Sequence, residues 1–444
     1  LFKLQFSFQN MTKIEGSEMT KLFGAILAFG VSLSMLVYQF IIKHDEIPIV
    51  DIRNYTFSEE QIVEGEKLAA VGACVVCHTS ENGEEYAGGL ALPTPFGTIY
   101  STNITPDPST GIGTWSIDAF RRSMKEGLDR EGNHLYPAFP YDHFVKTKDA
   151  DIDAIYAYLT TLTPISNQIP KNELQFPFNV RELLAFWKIL FLDDTPIVDN
   201  PELNDEENRG LYLANSLGHC GACHSPRNYF GAVVQNKPYF GGVAEGWDVP
   251  ALGKQSVAPV KWTFEQYENY MFDGWDENHG IAAGPMTAIV DHLYDASEDD
   301  VYAIVAWLAS LDRPDSNETV STSIVEKYGK RDWNENEKLG DLNPEGHRLF
   351  GEKCAKCHKQ RIASSQPVSL GLTYSLNAPS AKNLINVIKY GINPPYAVSR
   401  RKMEAIEVTD AELKLIVEYV RTRFTDLPQW ENIESDIRSI ERSH

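Results

Sequence analysis

Three five-residue stretches carry the reactive side chains of this 444-residue chain: Cys74-Val75-Val76-Cys77-His78, Cys220-Gly221-Ala222-Cys223-His224 and Cys354-Ala355-Lys356-Cys357-His358. Each reads C-x-x-C-H, the attachment signature of a c-type haem. Two thiols three positions apart lie on one helical turn and can form thioethers with the two vinyl groups of one haem. The His that follows then lies under the iron and supplies a nitrogen ligand. All six Cys are used in this way. A zinc ribbon pairs two C-x-x-C knuckles, so it would strand the third and leave three His without a role. A thioredoxin-like motif wants a βαβ setting and no obligatory His. Three covalent haem c groups are therefore expected, attached through Cys74, Cys77, Cys220, Cys223, Cys354 and Cys357, with His78, His224 and His358 on the iron.

These motifs must be positioned by separate folding units. The intervals of 146 and 134 residues between the first Cys of successive motifs leave room for one small domain each. The same order recurs around each motif. A helix from Ser58, opened by the Ser58/Gln61 capping spacing, leads into the first, and a helix over 149–162 closes that unit. Helices over 208–218 and 297–311 frame the second motif, and helices over 345–353 and 409–424 frame the third. A shorter helix is expected over 120–127, and a loop wrapping the haem over 88–113. Each leading helix carries a Gly (Gly65, Gly210, Gly346) and each closing helix an aromatic residue (Tyr158, Trp307, Tyr419). The repetition predicts a close helix crossing, with the aromatic filling it.

The chain holds 62 acidic against 40 basic side chains, a formal charge of −22. That balance argues against nucleic acid, whose phosphates need basic patches, and against broad attraction to anionic lipid. A solvated acidic surface, or docking to a basic partner, fits it. Residues 22–42 form an uncharged run long enough to span a bilayer core. Lys3, Lys13 and Lys21 precede it, which favours a cytoplasmic N-terminus. An uncleaved anchor is expected. The competing reading is a signal peptide cut near Ser32-Leu33-Ser34, although the apolar run continues past that site. On either reading the remainder is exported, as covalent haem attachment requires. The sequence opens on Leu1, with Met11 and Met19 as candidate initiators.

The order helix, C-x-x-C-H, loop, helices, closing helix resembles the small all-α cytochrome c domain. Three in tandem behind an apolar segment look like the trihaem cytochrome c subunits of membrane-bound periplasmic dehydrogenases, of the alcohol, aldehyde or gluconate dehydrogenase type or the partner of molybdenum hydroxylases. The likeness rests on Gly88-Gly89-Leu90, on Thr94-Pro95-Phe96-Gly97-Thr98-Ile99-Tyr100-Ser101-Thr102-Asn103-Ile104-Thr105-Pro106-Asp107, on Leu135-Tyr136-Pro137-Ala138, on Leu217-Gly218-His219 before the second motif, and on Gly284-Pro285-Met286. It implies a mainly α fold: three class I cytochrome c domains behind a transmembrane helix. The divisions are tail and anchor 1–44, domain one 45–165, linker 166–207, domain two 208–312, polar solvated linker 313–342, domain three 343–428 and tail 429–444. Within the first linker, the apolar run 176–192 reads either as a helix buried between units or as a docking surface for membrane or partner.

The resemblance also implies sixth ligands. Met286 stands in the family's ligand loop, and Met403 lies at a similar distance before the third closing helix, without the usual Pro after it. Thioether ligation favours ferrous iron and raises the potential. Unit one departs from the pattern: Phe139 occupies the ligand position in Tyr136-Pro137-Ala138-Phe139-Pro140-Tyr141, and Phe cannot ligate iron. Its haem is five-coordinate, or ligated by His143, or ligated by another group. His134 reads as structural. The implied function is electron transfer in a respiratory chain, from a periplasmic dehydrogenase catalytic subunit to ubiquinone or a terminal oxidase. Its implied place is the cytoplasmic (inner) membrane, with the haem domains on the periplasmic side. No site for a substrate-oxidising cofactor is legible. The alternatives are a peroxidase-like enzyme acting at an open first haem, and a free-standing respiratory relay.

Overall fold

Ser58 opens the first helix as expected: its Oγ accepts the Gln61 N–H at 3.2 Å, and Glu59 and Glu60 lie at the positive helix end. In the computed structural model, which describes residues 42–312, 322–329, 331–340, 342–358, 369–393 and 402–441 with six further positions between 23 and 32, this helix, α1, spans Glu59–Val71. It does not run on into the motif. Ala73 takes a left-handed φ of 47°, which breaks the chain before the short helix α2, Cys74–Cys77. The hairpin β1 (Ala91–Thr94) and β2 (Gly97–Tyr100) follows, then α3 (Ile117–Glu126), α4 (Tyr141–Phe144) and the closing helix α5 (Asp149–Thr161).

The hairpin replaces part of the expected loop over 88–113. Ala91 pairs with Tyr100, and β3 (Glu173–Leu174), from the linker, adds to the β2 edge at Gly97. Pro93 and the tight Thr94–Gly97 turn hid it, since Pro is compatible with a strand only where no ladder N–H is needed.

The linker next supplies α6 (Leu184–Phe191), a helix that is part buried and part exposed, between the two readings of that run. Its Trp187 is buried with Tyr141 of unit one and Ala232 of unit two, and its Nε1 donates to the Phe230 carbonyl at 2.9 Å, while Phe186, Ile189 and Leu190 are exposed. Lys188 Nζ holds it by donating to the Gly127 carbonyl at 2.7 Å.

Unit two runs α7 (Asp205–Asn215), α8 (Gly221–His224), β4 (Gly242–Ala244), β5 (Trp247–Val249), α9 (Phe264–Asp273), β6 (Trp275–Asp276), β7 (Gly280–Ile281), α10 (Pro285–Leu293) and α11 (Glu298–Leu311). Asn204 and Glu207 form a reciprocal capping box that starts α7 three residues earlier than expected. Unit three contains α12 (Thr322–Tyr328), α13 (Pro344–Lys353), α14 (Ala355–His358), α15 (Tyr374–Asn377), α16 (Lys382–Tyr390), α17 (Asp410–Phe424) and α18 (Ile433–Ile440).

The predicted crossings are present in all three units. A Cβ added to Gly65 would stand 1.8 Å from the Ala154 carbonyl oxygen, and one on Gly210 would stand 1.9 Å from that of Ala303. On Gly346 it would stand 2.6 Å from the Leu415 oxygen and from Tyr419 Cβ. The aromatic lies four residues after the contacted position each time, one turn further along the same helix face.

Two segments differ from expectation. Residues 322–329 and 331–340, read as solvated linker, pack on unit three: buried Trp333 stacks on His347 at 5.2 Å, and Glu337 accepts from Tyr419 Oη at 2.9 Å. The tail 429–444 contributes α18, whose Ile433, Ile437 and Ile440 are buried with Trp430. Ile433, Ile437 and Ile440 stand at i, i+4 and i+7, a helical period legible in the sequence of a stretch read only as a tail. No helix among the described residues is long and apolar enough to cross a membrane. The stretch 22–42 expected to do so lies largely outside them.

One hydrophobic core runs through units one and two, from Leu68 and Tyr156 to Leu213 and Trp307. Tyr212 Oη ties them further, donating to Asp151 at 2.6 Å and accepting from the Lys148 N–H at 2.9 Å. Unit three has its own core, around Phe350, Ile385 and Ile416.

Candidate haem sites

Each C-x-x-C-H motif lies on its own short helix, α2, α8 or α14, just after the leading helix crossed by the closing one. His78 Nδ1 lies 2.6 Å from the Thr102 carbonyl oxygen, and His224 Nδ1 lies 2.7 Å from that of Pro250. A carbonyl only accepts, so Nδ1 carries the proton and Nε2 keeps its lone pair, the tautomer an iron ligand needs. His358 Nδ1 is buried with no hydrogen-bond partner among the described residues, and the segment 359–368 that follows lies outside them. Burial lowers the pKa of all three imidazoles and so favours the neutral, ligating form.

The thiols are free of disulfides. Burial pushes Cys74 and Cys220 up to about 12, and Cys77 and Cys354 to about 11. Such groups are poor thiolates, so neither redox exchange nor nucleophilic catalysis suits them. Among the described residues no group of three or more His, Cys, Asp or Glu is arranged to hold a bare metal ion. The donor set thus fits a haem held through thioethers, with a buried neutral imidazole presented by each motif. When bound, haem c supplies a one-electron iron couple.

The sixth-ligand candidates fall in three different settings. Met286 is the second residue of α10, after Gly284 (φ 58°) and Pro285, and is partly buried against the shared core. Gly284 is required there, since a Cβ would stand 2.4 Å from the Trp247 ring. Met403 pairs with Ile392 across a two-way bridge of 2.8 and 3.0 Å. In the other units the residue after the helix-ending Gly bridges in the same way, Leu128 to His134 and Trp275 to Ile281. Met403 therefore matches His134 and Ile281 in register. Five residues later stand Phe139 and Met286, and in unit three Val408.

His143 lies against the second motif. Its Nε2 lies 3.2 Å from a Cβ built on Gly221, inside the second motif, and its Nδ1 lies 3.1 Å from Asp142 Oδ1. Phe139 packs on Phe144 with ring centroids 5.2 Å apart. His134 is structural as expected: it is buried, with Nε2 3.2 Å from the Ile42 carbonyl oxygen. Sequence reasoning missed the carbonyl partners. Thr102 lay within the quoted Tyr100-Ser101-Thr102-Asn103 stretch, but a carbonyl leaves no side-chain signal, and Pro250 lay outside every motif.

The cytochrome c family model matches residues 62–163, and the model for subunit III of cbb3-type cytochrome c oxidase matches 341–420. The chain is 37% identical to a nicotinate dehydrogenase subunit of Pseudomonas putida over 94% of its own length, but spans only 35% of that protein. It is 34% identical to the gluconate 2-dehydrogenase cytochrome c subunit of Pantoea cypripedii, covering 74% of this chain and 76% of the relative. With the fructose dehydrogenase cytochrome subunit of Gluconobacter japonicus the identity is 32%, over 82% and 79%. Buried imidazoles beside paired thiols are what such a subunit needs to hold haem c, and the chain belongs to the family of cytochrome c subunits of dehydrogenases.

Proposed function

We propose that the chain carries electrons from the substrate-oxidising subunit of a periplasmic dehydrogenase, through three covalently bound haems, to ubiquinone or a terminal oxidase. Residues 22–42 anchor it in the cytoplasmic membrane with its haem units on the periplasmic side. The observation that carries this reading is the threefold recurrence of one frame: a Gly-crossed helix pair holding a short C-x-x-C-H helix. His78, His224 and His358 are the proximal ligands and Met286 the sixth ligand of the second haem; Met403 is the candidate for the third, although its bridge register matches His134 and Ile281 rather than Met286. Two of the named relatives, of gluconate 2-dehydrogenase and fructose dehydrogenase, are cytochrome subunits, which supports a catalytic subunit as electron donor. Intact mass of the exported protein tests the cofactor count, with three haem adducts expected; two or fewer after full maturation refutes it. Extraction in mild detergent tests the partner, with a dehydrogenase subunit expected to co-purify.

A second reading is favoured at unit one. Phe139 holds the ligand position and His143 turns to Gly221, which supports a five-coordinate first haem able to bind peroxide. A high-spin ferrous spectrum and reaction with peroxide are expected there; a fully low-spin, peroxide-inert protein rejects it.

A further inference from the structure

Units one and two share a core, but unit three has a core of its own. What seats unit three on unit two is therefore a question of polar contacts, and these concentrate on β5. Asp248, 7% exposed, points its carboxylate at the start of α16: Oδ2 accepts the Ser380 N–H at 3.2 Å and the Ser380 hydroxyl. Its backbone is matched on both sides by one amide. Asp248 N donates to Asn383 Oδ1, and Asn383 Nδ2 donates to the Asp248 carbonyl, each at 2.8 Å. Asn386 Nδ2 donates to the Gly246 carbonyl at 3.2 Å. Asn383 thus takes the place of a neighbouring strand along β5. Asp436, from α18, accepts the Ala381 N–H at 3.1 Å, so two carboxylates from different elements face the positive end of α16. Buried polar groups are costly unless paired, and a network paired on both sides defines one relative placement of the elements it joins.

The other side of the same hairpin rests on the second haem motif. Gly241 N donates to the His224 carbonyl at 2.8 Å, and a Cβ on Gly242 would stand 2.5 Å from the Cys223 carbonyl oxygen. Trp247 covers Gly284, two residues before Met286. At the far end, α16 leads through Gly391 into the Ile392–Met403 bridge. One hairpin thus touches the His and Met sides of the second site and the helix that leads to the third.

Resting on the three-haem reading above, we infer that Asp248 is a positioning residue for electron transfer between the second and third haems, holding unit three at a set distance from unit two. The step moves one electron: one iron goes from Fe(II) to Fe(III), the other from Fe(III) to Fe(II), and no bond or proton changes place. Tunnelling falls steeply with separation, so loosening this junction slows the step without altering either haem's ligands.

The test uses the full-length holoprotein carrying Asp248→Ala or, from the opposite side of the junction, Asn383→Leu. Both variants are expected to keep the haem count, near-infrared sulfur-to-iron bands and midpoint potentials of the parent. Electron equilibration between the two haems after flash reduction is expected to slow at least tenfold. Pulsed dipolar EPR between the ferric irons should give a longer and broader distance distribution. Asp248→Asn, which keeps an acceptor for Ser380 and the backbone pairing, should retain most of the rate. The double variant should be no slower than either single one. Unchanged rate and distance in three-haem protein overturn the role of Asp248 while leaving the three-haem reading intact. A parent chain carrying only two haems overturns both.

Discussion

The Nε2 of His143 lies 3.2 Å from the point where a side chain on Gly221 would begin. A residue of unit one is thus lodged against the attachment helix of unit two, and Gly221 leaves it room. On this placement His143→Ala should leave the spin state of the first haem unchanged and perturb the spectrum of the second. Magnetic circular dichroism of the two variants His143→Ala and His143→Gln reads both signals. Conversion of one low-spin haem to high spin in unit one would instead make His143 its sixth ligand.

That residue shows where sequence and structure part. The framing helices and the three Gly crossings were legible because each is a local pattern repeated three times, with helix starts at Ser58 and Thr409 marked by their own caps. The contact of His143 with the second motif was not. It depends on packing between units, through Phe144 against His219 at 5.6 Å, which no spacing in the chain encodes. The hairpin over 91–100 was hidden for a related reason, being held by a strand from the distant linker, whereas helix α18 carried a legible i, i+4, i+7 period in Ile433, Ile437 and Ile440.

Met286→Ala is expected to remove one sulfur-to-iron band in the near infrared and to lower one haem potential, because a soft thioether that favours ferrous iron is lost. Met403→Ala should do the same for a second haem. A band that survives the Met403 substitution would fit its place in the bridge with Ile392 and remove it from the ligand set. Phe139→Met should add a third such band and raise the lowest potential.

Gly210→Ala places a methyl 1.9 Å from the Ala303 carbonyl oxygen and 2.8 Å from Trp307 Cβ. Forcing a methyl into a packed crossing typically costs about 1–3 kcal/mol, against a gain of about 1 kcal/mol in helix propensity. Denaturant unfolding followed by far-ultraviolet circular dichroism should show a lower midpoint. An unchanged midpoint would mean that α7 and α11 can part without loss.

Acid should destabilise unit two through His279. This imidazole is buried and stacks on Trp262 at 3.6 Å, and burial lowers its pKa from 6.5 to about 3. The unfolded chain binds a proton below pH 6.5 that the fold refuses until about pH 3, so stability is full above the first value and falls as pH drops toward the second. One such proton gives a slope of up to about 1.4 kcal/mol per pH unit. His279→Gln should flatten unfolding free energy against pH in that window; parallel curves for the two proteins would rule the group out.

Replacing residues 1–41 by a cleavable export signal should release a soluble haem protein. The cut is placed there because the Ile42 carbonyl accepts from His134 and the Asp45 carbonyl accepts from Arg122 at 2.7 Å. Retention in the membrane fraction after a salt wash would point to the exposed Phe186, Ile189 and Leu190 of α6 or to a membrane-bound partner.

The core common to the first two units has a consequence for how such a chain can be inherited. A recombination breakpoint between them would divide the packing of Leu68, Ile155, Leu213 and Trp307, leaving two fragments that each expose half an interior. A breakpoint after residue 312 would, among the described residues, sever the polar junction of β5 with α16 and leave both interiors whole. The smallest portable cassette in this architecture is therefore a pair of units, to which a third can be added or exchanged by matching a hairpin to a helix end.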